Sequence, residues 1–180
     1  MKKSLFIILL ISVWGWEATA QRVITPKEKK SPLAMAILKK NNNYLKVTYG
    51  QPYKRDREVF GKLVPYDEVW RTGANEATEF TTIRDIKFGD KTLKAGTYTI
   101  FTIPSEEKWT VILNGELGQW GNYSYDKVKE KDVLKIEAPA SEIKDEYEAF
   151  TIKFFEKENG ADMQLVWAQT QVDVPITFIR

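Results

Sequence analysis

Ile86-Lys87-Phe88-Gly89-Asp90-Lys91-Thr92-Leu93-Lys94-Ala95-Gly96-Thr97-Tyr98-Thr99-Ile100-Phe101-Thr102-Ile103-Pro104 is the stretch whose reading decides the fold. Gly89-Asp90 fits a two-residue hairpin turn between two short apolar runs, because glycine accepts the positive φ that such turns demand. Ala95-Gly96 is a second turn. It opens a run of β-branched and aromatic residues in which Tyr98, Ile100 and Thr102 oppose Thr99, Phe101 and Ile103. Pro104 ends that run by removing a ladder donor. The same pattern recurs outward. Residues 44–49 alternate, with Leu45, Val47 and Tyr49 on one face, and further runs fall at 80–83, 109–113, 133–136, 150–155, 163–167 and 172–178. About ten strands with turn residues between them predict an all-β chain, a single-domain antiparallel β-sandwich or jelly-roll-like barrel. At most one short helix is expected, at residues 141–149 with Ser141 as N-cap, and an acidic loop fits that segment equally well.

The first twenty residues are expected to be a signal peptide. Lys2 and Lys3 precede an apolar run over 5–14, and Ala18-Thr19-Ala20 is a small-x-small cleavage site followed by Gln21. The run is shorter than the roughly 20 residues that span a bilayer, so no membrane anchor is expected after cleavage. No Cys stands at the cleavage point for a lipid anchor. Residues 21–33, with Pro26, Pro32 and a run of charges, read as a mobile leader, and 34–180 as one all-β domain. The expected location is periplasmic or extracellular. Of 27 basic and 25 acidic residues, the leader peptide holds Lys2, Lys3 and Glu17, which leaves 25 and 24. Such a balance gives no footprint for nucleic acid.

The chain has no His and no Cys. That removes zinc sites of the usual ligand set, Ser-His-Asp triads, Cys nucleophiles and histidine bases. No metal or cofactor is expected, and no loop of the EF-hand type appears. Carboxylate chemistry survives, because Glu58, Asp67, Glu68, Glu76 and Glu116 supply acids. A glycosidase needs two of them about 5–9.5 Å apart, a pairing that spacing along the chain does not give.

The densest chemistry lies in residues 57–78, REVFGKLVPYDEVWRTGANEAT. One reading is a polar pocket in which Arg71 forks onto a ligand carboxylate or sugar hydroxyls, with Asn75 and Glu76 completing the bonding and Arg57 serving the same pocket. The other is an internal clasp, with Arg71 paired to Glu76 or Glu68 and Arg57 on a solvated face. Phe60 reads as a core plug and Gly61 as a turn. A second cluster follows at 114–123, where Asn114, Gln119, Trp120 and Asn122 stand among three glycines. A Trp face backed by amides suits a sugar ring, and a loop whose Trp120 closes one end of the sandwich is the alternative.

Ser31-Pro32, VTYGQP (47–52), REVFG (57–61), LVPY (63–66), VWRTGANEAT (69–78), LKAGTYTIFTIP (93–104), WTVILN (109–114), QWG (119–121) and the closing VW and VPI (166–167, 174–176) together resemble a bacterial family, the domain of unknown function 2911. The resemblance covers nearly the whole chain after residue 20 and implies an exported protein of the kind found mainly in the Bacteroidetes. It carries no assigned activity. Lys54-Arg55-Asp56-Arg57 departs from the family's usual Lys-Gly-Arg approach to Phe60, and Gln51 stands where a charged or small residue is common. The expected function is noncatalytic binding of a small polar ligand or glycan through Arg57, Arg71, Asn75, Glu76, Asn114 and Trp120. A protein-interaction module of the cell envelope and a carboxylate-based hydrolase are the alternatives.

Overall fold

The computed structural model describes residues 30–179. The expected signal peptide, 1–20, and residues 21–29 of the expected leader lie outside the described residues. Among the described residues there are nine strands: β1 (Leu33–Lys40), β2 (Asn43–Gly50), β3 (Thr78–Thr82), β4 (Ile86–Phe88), β5 (Lys91–Leu93), β6 (Gly96–Ile103), β7 (Lys108–Asn114), β8 (Asp132–Lys157) and β9 (Gly160–Phe178). A single helical turn, α1 (Tyr125–Val128), continues into a 3-10 turn over Lys129–Lys131. Every paired strand is antiparallel, in the order β1-β2-β3-β6-β7-β8-β9-β4-β5.

The all-β expectation holds, and the Gly89-Asp90 hairpin pairs Ile86 with Leu93 and Phe88 with Lys91. The long strand β8 makes the two layers. Its first part, up to Pro139, pairs with β7, and from Ala140 onward it pairs with β9. The strand thus passes from one sheet to the other at Pro139–Ala140, and just beyond, between Glu142 and Thr151, its register to β9 shifts twice and bends it. The layers close on one core: Phe80 of β3 meets Phe88 of β4 edge-on at 5.4 Å, although those strands are not neighbours in the sheet. Leu45, Val47 and Tyr49 of β2 point into that core, as their alternation predicts.

One expectation fails, and one strand goes unread in the sequence. Residues 141–149 form neither a helix nor a loop but the cornering part of β8, where the ladder to β9 overrides the local helix signal. The helical turn lies instead at 125–128. β1 was not legible as a strand because its apolar side chains are on the wrong side. Leu33, Met35 and Ile37 face out, and the small Ala34 and Ala36 pack inward.

The centre of the core is aromatic. Trp70 stacks on Trp167 with ring centroids 6.0 Å apart and meets Phe150 at 5.0 Å, while Phe60 meets Trp109 at 4.9 Å. Such rings bury large apolar areas and add favourable edge-to-face contacts, so a domain without disulfides is held here. A smaller apolar cluster of Ala77, Phe101, Ile112 and Tyr125 covers the outer face of β6 and β7. It exists because residues 115–131 leave the sheet after β7 and fold back over it. No helix among the described residues is long and apolar enough to cross a membrane.

Candidate functional site

The segment 69–78 is an internal clasp along most of its length. Trp70 exchanges two backbone bonds with Thr102 of β6, at 2.7 and 2.9 Å, which turns its indole into the core. The indole N–H then donates to the Gly73 carbonyl at 3.1 Å. Thr72 has φ +57°, and its hydroxyl donates to the Thr102 hydroxyl at 3.1 Å. Thr78 donates its hydroxyl to the Thr72 carbonyl at 2.6 Å. Gly50 lies so close to this segment that a Cβ there would stand 1.9 Å from the Ala74 carbonyl oxygen. The VTYGQP and WRTGAN stretches are therefore two halves of one backbone contact, closed by the Ala74 N–H to Gly50 carbonyl bond at 3.0 Å.

Beyond Ala74 the segment meets the second cluster. Ala77 N–H donates to the Gln119 carbonyl at 2.8 Å and Gly121 N–H to the Asn75 carbonyl at 3.0 Å, with Glu76 opposite Trp120 between them. The Asn122 amide bonds the Val69 carbonyl. These ties fix Trp120 in place, yet its side chain is 60% exposed. Tyr123 and Leu117 are exposed on the same excursion.

The base of the excursion is a polar knot. Tyr125 donates to Asp132 Oδ2 at 2.7 Å, the Asn114 amide donates to Asp132 Oδ1 at 2.8 Å and to the Val128 carbonyl at 2.8 Å, and Lys135 pairs with Asp132 at 2.8 Å. Burial, and then the bond to Asp132, raise the Tyr125 hydroxyl above the ordinary tyrosine value. Nothing in the spacing of the chain marks Asp132 or Tyr125 for this task, because both lie outside the Gly- and Trp-rich motifs.

The six expected site residues thus part company. Asn75, Glu76 and Trp120 come together. Asn75 has φ +64° and donates its amide to the Ser31 carbonyl at 3.2 Å. Asn114 is fully buried, with its amide bonded to Val128 and Asp132 and its Oδ1 accepting from Glu116 N–H at 2.8 Å, so it anchors the excursion from beneath. Arg57 is exposed and closes its own loop, donating Nε to the Lys54 carbonyl at 2.8 Å and Nη2 to the Tyr53 carbonyl at 2.7 Å. Arg71 is half-buried, and its Nε is sealed from water with no acceptor. What holds the clasp along its length is the set of bonds made by Trp70, Thr72, Ala74 and Thr78. Glu116 pairs with Lys131. No group of acids that could hold a metal ion occurs among the described residues. A shallow groove of about 760 Å³ opens elsewhere, between the Gly89-Asp90 turn and β7–β8, lined by Thr110, Lys135 and Glu137 among others and by none of the six.

The family model described as Protein of unknown function (DUF2911) matches residues 31–176, from the entry to β1 into β9. The chain belongs to this family. The match takes in both halves of the Gly50–Ala74 contact and the whole of the 115–131 excursion, so the clasp and the Trp120 loop are parts of the DUF2911 domain. No curated protein and no solved structure matches the chain.

Proposed function

We propose that this DUF2911 protein is exported and binds a small polar ligand or glycan without catalysis, at the surface where Asn75 and Glu76 meet Trp120. One observation carries the reading: Trp120 is held by backbone bonds on either side and is nevertheless 60% exposed. An indole left in water by a rigid frame gains nothing for the core, and a fixed, exposed aromatic face is the surface on which a sugar ring stacks. The test is calorimetric titration of the protein with a panel of oligosaccharides. Binding by at least one member and its loss in Trp120→Ala are expected, with stability changed by less than about 0.5 kcal/mol, as for an exposed side chain. Absence of binding across the panel, or binding that survives Trp120→Ala, refutes the reading.

A second reading has its own observation. Leu33, Met35 and Ile37 form an exposed apolar row along β1, the terminal strand of the sheet. Apolar rows of that kind mark protein contacts, which favours an interaction module of the envelope.

A further inference from the structure

We propose that β1 is a pairing edge for a second copy of this chain, and that two β1 strands join antiparallel about a two-fold axis at Met35; the inference rests on the interaction reading above. The hydrogen bonds of β1 alternate. Pro32 C=O accepts Gln51 N–H at 2.8 Å, and the unbroken register of β1 on β2 then directs the backbone groups of Ala34, Ala36 and Leu38 toward β2. Those of Leu33, Met35 and Ile37 point the other way, to an edge where no strand among the described residues pairs with them. The same three residues hold their side chains out from the sheet, 69%, 54% and 53% exposed. Each therefore presents a backbone donor and acceptor together with an apolar side chain. The two ends of the sheet are built differently. β5, the other terminal strand, is three residues long and begins with Lys91, whose ammonium is bound to the Lys135 carbonyl. Short length and charge are what keep an edge from pairing. β1 is eight residues long, with no bulge, no proline and no charge before Lys39.

What fits the edge follows from its own pattern. With Met35 on the axis, Leu33 stands opposite Ile37 of the second copy, Met35 opposite Met35, and Ile37 opposite Leu33. All three have their backbone groups on the pairing side, so each pair exchanges two bonds. A shift of two residues either way puts Leu33 opposite Lys39 or Ile37 opposite Ser31, so only this register sets every apolar side chain of the row on another. The charges permit it. Lys39 faces Ser31, and Lys40, which faces Lys30, is already paired with Glu156 at 3.4 Å. The contact is isologous and uses up the edge, leaving only the two β5 ends, so assembly stops at a dimer. Two edges of this length bury less than the roughly 1,200 Å² of a standard interface, so the dimer is weak and depends on concentration.

The chain has no Cys, so single cysteines report the register without background. Met35→Cys sets two thiols on Cα atoms about 5.5 Å apart, inside the range of about 4.4–6.8 Å that a disulfide spans. Mild oxidation is expected to cross-link it to a dimer. Leu33→Cys alone and Ile37→Cys alone should not cross-link, because each lies four residues, about 13 Å, from its own counterpart. A mixture of those two variants should. In sedimentation velocity the unaltered protein should pass from monomer to dimer over about 5–500 µM. Met35→Lys, which puts like charges opposite each other on the axis, should stay monomeric with an unchanged urea midpoint. Equal cross-linking at all three positions, or a dimer that survives Met35→Lys, overturns the inference. So does an unaltered chain that stays monomeric throughout, whatever the variants do. If that monomer is retained on envelope extract and Met35→Lys is not, the interaction reading stands without self-pairing. If retention does not depend on Met35, both fall.

Discussion

Gly50→Ala places a methyl group in the tightest backbone contact of the DUF2911 signature. The new Cβ would stand 1.9 Å from the Ala74 carbonyl oxygen and 2.9 Å from its carbon, where ordinary contact begins at 3.4 Å. The obstacle is backbone and not the end of a flexible side chain, so one of the two segments must move by about 1.5 Å. That movement strains the packing by about 1–3 kcal/mol. It also breaks the Ala74 N–H to Gly50 carbonyl bond and disturbs the Trp70 indole bond to Gly73, each contributing about 1 kcal/mol. The expected loss is about 3–5 kcal/mol, a large part of a typical domain stability of about 5–15 kcal/mol. In urea unfolding followed by tryptophan fluorescence, a slope of about 2 kcal/mol per molar puts the midpoint about 1.5–2.5 M lower. Gly118→Ala is the control. Gly118 has φ +69° with nothing within 4 Å of the added carbon, so that variant meets conformational strain alone, about 1–2 kcal/mol. A midpoint for Gly50→Ala equal to or above that of Gly118→Ala would refute the clasp as the reason for the motif.

The excursion that carries Trp120 should depend on Asp132. Asp132→Ala leaves the Tyr125 hydroxyl and one Asn114 N–H without their acceptor in a site where Asp132 is 8% exposed, so a loss of about 3 kcal/mol is expected, with faster amide exchange over 115–131. Unchanged exchange there would mean that the Ala77, Phe101, Ile112 and Tyr125 cluster suffices. The hairpin region should carry an acid-sensitive contact at Asp85. The Lys94 ammonium at 2.8 Å, and then Ala95 N–H at 2.9 Å, lower the Asp85 carboxyl below its ordinary value. Its contribution is therefore fully present above the ordinary carboxylate value and lost as the pH falls through the lowered one. Asp85→Asn should flatten the acid limb of a stability-versus-pH curve in that range, and an unchanged limb would remove Asp85 from the account.

Legibility differed by element for physical reasons. β4, β5 and β6 were readable because the turn between the first two takes a glycine at φ +64° and the faces of β6 alternate, both of which are local properties. β1 and the corner of β8 were not. The first shows its apolar side to solvent, and the second is a strand only because β9 lies beside it. The candidate site divided in the same way. The two clusters stood out by composition, and their meeting at Glu76 and Trp120 required the fold. Asn114 carried the same amide chemistry as Asn75 in the chain, and only its depth, under the excursion, separates their roles.

By itself, the sequence determined an all-β domain, the absence of histidine and cysteine chemistry, and the two stretches where unusual residues gather. Those are properties of residue type and short-range spacing. Tertiary structure decided that WRTGAN is mostly a clasp around Gly50, that Arg57 closes its own loop, and that Arg71 Nε is sealed from water without an acceptor while Trp120 faces water. Burial and hydrogen-bond partners are set by segments far apart in the chain. An arginine or tryptophan acquires its role only when those segments pack against it.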